Sequence, residues 1–117
     1  MVNVAVLGYG TIGSGVVEVL QTNTEIIAQR AGEEIAVKYI LDLRDFPGDP
    51  NADKVVHDYD IIDKDEDVQV VVECMGGVEP AYTFVKRALL NGRSVATSNK
   101  ELVAKHGAEL IALSLIH

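Results

Sequence analysis

The stretch Val2-Asn3-Val4-Ala5-Val6-Leu7-Gly8-Tyr9-Gly10-Thr11-Ile12-Gly13 decides how the rest of this 117-residue chain is read. Val2–Leu7 is an apolar run rich in β-branched residues that stops at a glycine, the pattern of a buried strand. Ile12–Ala28 carries apolar residues at positions 12, 16, 19, 20, 26 and 27, one face of a helix. Between them Gly8, Gly10 and Gly13 stand at G-x-G-x-x-G spacing. That pattern carries weight only where a strand precedes it and a helix follows, and here both do. Gly8 permits a tight turn, Gly10 lets the backbone approach a pyrophosphate, and Gly13 lets the helix lie close on the strand. The helix N-terminus presents free N–H groups and a partial positive charge. A dinucleotide's diphosphate is therefore expected over Gly10, Thr11 and Ile12.

Further along, strands and helices alternate. Ile35–Leu41 reads as a second strand, Val68–Cys74 as a third apolar run ended by Gly76-Gly77, and Ser94–Thr97 as a short strand. Glu79–Leu90 is helical, with Pro80 tolerated in its first turn and Asn91-Gly92 as its stop. Lys100–Ile116 is helical, with Gly107 a weak point. Arg44–Asp67 is polar and carries the turn signals Pro47-Gly48 and Pro50-Asn51, with a short strand expected near Val55–His57. This alternation predicts an α/β fold, a doubly wound parallel sheet with helices on both faces, three layers in all. Strands covered on both faces are apolar throughout, as these are. The last helix runs through Leu110, Ile111, Leu113, Leu115 and Ile116 to His117 with no stop signal. From this we expect a parent protein that continues, and a sheet lacking its last strand.

Apolar residues make up 48% of the chain and charged residues 24%, a globular balance filling one domain over residues 1–117. No apolar run is long enough to span a bilayer, and no basic segment precedes an apolar one at the N-terminus. Cys74 is the single cysteine, so an internal disulfide is excluded and a reducing, cytoplasmic setting is expected. The net charge of −8 disfavours nucleic acid as a partner. All nine Asp lie between Asp42 and Asp67, where ten acids face three bases for a net −7. The segment reads as a solvated loop region. It begins where an adenosine ribose should lie, so its field is expected to oppose the 2′-phosphate of NADP.

Ligands of open parallel sheets bind beyond the carboxyl ends of the strands. At the end of the second strand, Asp42 suits the ribose hydroxyls of NAD and Arg44 the 2′-phosphate of NADP. After the third run, Met75, Gly76 and Gly77 offer close approach to a cofactor. Glu73 there is either near the site or a structural hydrogen-bonding group. Cys74 has no activating partner and reads as a core thiol. Beyond Ser94–Thr97, Ser98 or Asn99 is placed to cap the next helix. Lys100 then sits at a helix start, where the dipole disfavours a cation unless an anionic ligand is near. His57, His106 and His117 show no metal spacing and are read as solvent-exposed or incidental; no metal site is expected.

Three segments together resemble the N-terminal cofactor domain of the homoserine dehydrogenase family. They are Val4-Ala5-Val6-Leu7-Gly8-Tyr9-Gly10-Thr11-Ile12-Gly13-Ser14-Gly15, Val72-Glu73-Cys74-Met75-Gly76-Gly77 and Val95-Ala96-Thr97-Ser98-Asn99-Lys100. The first is generic to Rossmann domains; the other two, in this order and spacing, are more specific. The last is close to the family's Thr-Ala-Asn-Lys signature, with Ser98 in place of Ala. Leu43-Arg44-Asp45 is similar to the family's Val-Arg-Asp and tilts the cofactor toward NADP, with NAD left open. The resemblance implies reversible reduction of L-aspartate 4-semialdehyde to L-homoserine, in threonine, methionine and isoleucine biosynthesis. It implies that Lys100 points toward the nicotinamide and substrate as a catalytic residue. It also implies that the substrate acids and a second lysine lie in a following α+β domain that forms a homodimer and is absent from these 117 residues. On that reading this chain alone binds a dinucleotide but turns over little or no substrate. The competing readings are the cofactor domain of another two-domain dehydrogenase and a non-catalytic dinucleotide-sensing module.

Overall fold

The computed structural model describes residues 1–116 of the chain, apart from the side chains at positions 31, 115 and 116. His117 and the side chains of Leu115 and Ile116, which entered the reading of the last helix, lie outside the described residues. Five parallel strands form one sheet: β1 (Val2–Leu7), β2 (Ile35–Leu41), β3 (Val55–Val56), β4 (Val68–Glu73) and β5 (Ser94–Thr97). Their order is β3-β2-β1-β4-β5. The chain thus builds outward from β1 to one side, returns, and builds to the other. Between β1 and β4 lies the switch point where a doubly wound sheet opens a crevice at its strand ends. Leu7 is level with Leu41 of β2 and with Glu73 of β4, so the three strands end together at that crevice.

The helices are α1 (Thr11–Thr22), α2 (Thr24–Ala31), α3 (Tyr59–Asp63), α4 (Ala81–Leu90) and α5 (Lys100–Ile116). Alternation along β1 sorts the core. Val4 and Val6 face one side with Val37, Ile40 and Val17 of α1. Ala5 and Leu7 face the other with Leu41, Val68, Val71, Tyr59, Ile62 and Ala88. A third cluster joins α4 to α5 through Ala81, Val85, Leu89, Leu102 and Leu110. The expected three layers are present.

Three elements differ from expectation, the least of them α4, which begins at Ala81 with Pro80 as its N-cap and not at Glu79. The single helix predicted over Ile12–Ala28 is two helices broken at Asn23. Thr22 donates its hydroxyl to Glu18 O (2.7 Å) and Asn23 its amide to Val19 O (3.3 Å). Such side chains compete for the carbonyls a continuing helix would use. The acidic segment is not simply a solvated loop. It holds a 3₁₀ turn (Ala52–Lys54), β3 and α3, and buries Tyr59 and Ile62. Asp58 caps α3 by accepting from the Asp60 N–H (2.9 Å). Arg87 pairs with Asp60 and Asp63, and Lys38 with Asp65.

Candidate functional site

The crevice is a cleft of about 450 Å³ lined by Gly8, Tyr9, Gly10, Leu41, Asp42, Leu43, Arg44, Cys74, Met75 and Gly76. The sequence-predicted Gly8, Gly10, Asp42, Arg44, Met75 and Gly76 are thus brought together from loops 31 or more residues apart. Thr11 and Ile12 open α1 beside it, and Gly13 lies beneath. Gly77, Ser98 and Lys100 are not in the cleft wall; Gly77 and Ser98 occupy the adjoining loops after β4 and β5, and Lys100 opens α5.

The glycine turn is shaped from within. Gly8 has φ +97°, a region L side chains rarely adopt, and its N–H donates to Leu41 O (2.7 Å). A Cβ on Gly13 would stand 1.8 Å from Gly8 O, so only glycine allows α1 to lie this close. Gly10 and Gly76 are different. Neither has a positive φ, and a Cβ on either would meet nothing within 4 Å. Nothing among the described residues requires glycine at these two places, and both line the cleft. A ligand backbone-close at this point accounts for them, as a pyrophosphate would.

The electrostatics agree. The first hydrogen bond within α1 runs from Ser14 N–H to Gly10 O (2.9 Å). The N–H groups of Thr11, Ile12 and Gly13 precede it and have no partner within the helix. Gly10, the N-cap, supplies no side-chain acceptor, and the first turn of α1 has no acidic residue. The positive end of the helix dipole is therefore left for an external anion. A larger cleft of about 650 Å³ lies elsewhere, at the N-terminal end of β2 against α2, with Met1, Leu20, Ala28 and Ile35 in its wall. Glu25, in the first turn of α2, and Glu34 also line it, and both oppose a phosphate.

Asp42 stands just past β2, nine-tenths buried, and is heavily engaged. Its carboxylate accepts from the Tyr9 N–H (3.0 Å), the Arg44 N–H (2.9 Å) and the Arg44 guanidinium (3.0 and 3.1 Å). The Arg44 guanidinium first, and then the backbone N–H groups, pull its pKa down to about 2. Arg44 itself is 64% exposed and lies 5.2 Å from the Phe46 ring. Phe46 in turn packs edge-on to Tyr9. The Tyr9 hydroxyl donates to Asp49 (3.0 Å) and accepts from Asn51 (3.3 Å). The residue between the first two glycines thus anchors the whole loop 42–51. Sequence reasoning missed Tyr9, whose partners lie 33 to 42 residues away.

His57 is exposed, one of the two readings expected for it, but it is not without partners. One ring nitrogen lies 2.7 Å from Asp42 O and the other 2.9 Å from an Asp45 carboxylate oxygen. The Asp42 carbonyl chiefly, then Asp45, favours the imidazolium and raises its pKa. His106 is likewise engaged, stacked on Tyr82 at 3.8 Å. Cys74 is a core thiol as expected: burial first, and then nearby Glu73, pushes its pKa up to about 11. Of the two possible caps for α5, Asn99 is the one used, accepting from the Leu102 N–H (3.1 Å). Among the described residues no group of three or more His, Cys, Asp or Glu is placed to hold a metal. No described helix is long and apolar enough to cross a membrane.

A β3-β2-β1-β4-β5 parallel sheet, a glycine turn feeding the bare N-terminus of α1, and an acid past β2 define a dinucleotide-binding domain of the Rossmann class. Comparison with known proteins narrows this. The family model for the homoserine dehydrogenase NAD-binding domain matches residues 8–115. The homoserine dehydrogenase of Lactococcus lactis is 37% identical over 122 residues, covering 99% of this chain and 28% of that protein. That of Pseudomonas aeruginosa is 40% identical over 112 residues, covering 95% of this chain and 26% of that protein. The crystal structure of Staphylococcus aureus homoserine dehydrogenase at pH 7.5 superposes with a TM-score of 0.89 at 34% identity, over 98% of this chain and 29% of that one. The chain belongs to the homoserine dehydrogenase NAD-binding domain family. It spans roughly a quarter of the length of the relatives it matches. The sensing-module and other-dehydrogenase readings are not favoured.

Proposed function

We propose that this chain is the cofactor-holding part of a homoserine dehydrogenase, which reversibly reduces L-aspartate 4-semialdehyde to L-homoserine. When bound, NAD or NADP supplies the hydride exchanged with the aldehyde carbon. The chain's own residues bind and orient. Gly8, Gly10 and Gly13 shape the turn, and the N–H groups of Thr11 and Ile12 meet the diphosphate. Met75, Gly76 and Gly77 wall the path from β4. Ser98 and Lys100 stand at the nicotinamide end, where an anionic substrate or cofactor group facing the Lys100 ammonium offsets its unfavourable place at the positive start of α5. The observation that carries this reading is the pair Gly10 and Gly76, glycines whose only evident use is a ligand lying against them. The substrate-binding and dimerising residues implied by the family likeness are not assigned to this chain, so by itself it binds dinucleotide without oxidising homoserine, in a cytoplasmic setting.

The cofactor choice rests on Asp42 and Arg44. Asp42 is held by two backbone N–H groups as well as by Arg44. The guanidinium is exposed and free to turn outward without stranding the carboxylate. We assign Arg44 to the 2′-phosphate of NADP, and Asp42 to the glycine turn and the ribose of NAD. Calorimetric titration of the wild type and Arg44→Ala with both dinucleotides tests this. Arg44→Ala should weaken NADP about tenfold, one lost charge-assisted contact, and leave NAD unchanged. An unchanged NADP affinity removes Arg44 from this role. Robust homoserine oxidation by the chain alone would contradict the division of labour.

A further inference from the structure

The loops after β4 and β5 are joined by a polar network, built on buried Glu73 and Asn99 and the exposed Thr97, that the binding roles above do not use. Glu73 ends β4 with its side chain fully buried. One of its carboxylate oxygens accepts from the Met75 N–H (2.6 Å) and the other from the Thr97 hydroxyl (2.5 Å). That hydroxyl accepts in turn from the Asn99 N–H (3.0 Å). Asn99 is itself 7% exposed. Its amide nitrogen donates to Met75 O (3.1 Å) and to Gly77 O, while its amide oxygen caps α5. Every donor and acceptor of that amide is matched, and two of the three contacts cross to the other loop. The Met75–Gly77 loop is therefore pinned on both sides: Glu73 holds its first N–H, and Asn99 holds two of its carbonyls. The loop contains two glycines and would otherwise have wide backbone freedom.

We infer that Asn99 is a positioning residue that fixes the Met75–Gly77 loop relative to Ser98 and Lys100, and so sets the nicotinamide half of the cofactor path. The inference rests on the proposed dinucleotide site. A capping residue needs only the amide oxygen; the two donors go to carbonyls of a different loop, 22 and 24 residues earlier in the chain. The adenylate half, built by β1, β2 and loop 42–51, has no hydrogen bond to this network among the described residues.

Asn99→Asp separates the two jobs. Aspartate caps a helix as well as asparagine does, but it cannot donate and sets a carboxylate against the two carbonyls. Thr97→Val removes the hydroxyl that links Glu73 to Asn99, and Thr97→Ser restores it. The affinities to measure are those for NAD and for 5′-AMP, which lacks the nicotinamide half. The inference expects Asn99→Asp to weaken NAD about tenfold, two lost hydrogen bonds, with 5′-AMP binding unchanged. Thr97→Val should do the same to a smaller degree and Thr97→Ser should recover wild-type binding. Equal losses for NAD and 5′-AMP, or no loss for either, overturn it. If Asn99→Asp fails to fold, the Thr97 pair decides on the same ratio. A wild type that binds neither probe overturns the dinucleotide site itself, and this inference with it, which is distinct from a ratio that fails to move.

Discussion

Single residues carry the sharpest contrast in this domain, because its glycines are glycine for different reasons. Gly13→Ala drives a methyl into Gly8 O and should cost about 3 kcal/mol or more, seen as a large drop in melting temperature. Gly10→Ala meets no protein atom and should melt like the wild type, yet lose dinucleotide binding. Equal melting and equal binding losses for the two variants would refute the distinction. These glycines were legible in the sequence because their use is written in the residue type and spacing. Tyr9 and Asn99 were not, since their roles depend on partners brought near only by folding. The local pattern leaves Ser98 and Asn99 both open as the cap, and the two donors of Asn99 to the neighbouring loop have no local signature. His57 is exposed as expected, but its contacts were not legible for the same reason: Asp42 and Asp45 meet it only because β2 and β3 end side by side.

At the scale of elements, β1, β2, β5 and α5 begin and end where their apolar patterns predict, because burial and glycine punctuation point the same way. The misses are instructive. The helix after the glycine turn breaks at Thr22-Asn23-Thr24, three residues that bond their own backbone readily, although the apolar spacing continues past them. Charge obscured α3, yet Tyr59 and Ile62 at i, i+3 spacing were its signal. Its neighbourhood also links elements through charge. Asp65 accepts from Lys38 (2.6 Å) and from the Tyr39 hydroxyl (2.6 Å), tying the α3–β4 connection to β2. Lys38 first, and then Tyr39, lower the Asp65 pKa to about 2, as Arg44 lowers that of Asp42. A carboxylate whose pKa is depressed on folding stabilises the fold above its unfolded value near 3.8, and that contribution is lost as the pH falls through its folded value. Both partners, Arg44 and Lys38, are partly or largely exposed, so the two sites together should account for about 1–2 kcal/mol. Urea unfolding at pH 5 and pH 2 should show that loss, and it should shrink in Asp65→Asn. An equal acid loss in that variant would exclude Asp65 as a source.

For the molecule as a whole, the structure changes the meaning of its −8 charge. The acidic segment begins beside the cleft, but α3 and the turn before β4 carry its last acids, Asp65, Glu66 and Asp67, toward the N-terminal ends of the strands. The six residues of β4 separate those acids from the cleft by about 20 Å, beyond the ~8–10 Å over which exposed charges act at physiological salt. Those three acids therefore do not oppose NADP, and the choice falls to the groups beside the cleft, Asp42 and Arg44 first. The central claim is that the dinucleotide lies across the ends of β1, β2 and β4, over the start of α1, and not in the larger cleft at the other end of the sheet. The most direct test is an amide chemical-shift titration of the isotopically labelled protein with NAD and NADP. The account predicts the largest shifts at Gly10, Thr11, Ile12 and Gly76. Shifts centred on Leu20, Ala28 and Ile35, or none at saturating dinucleotide, would contradict it.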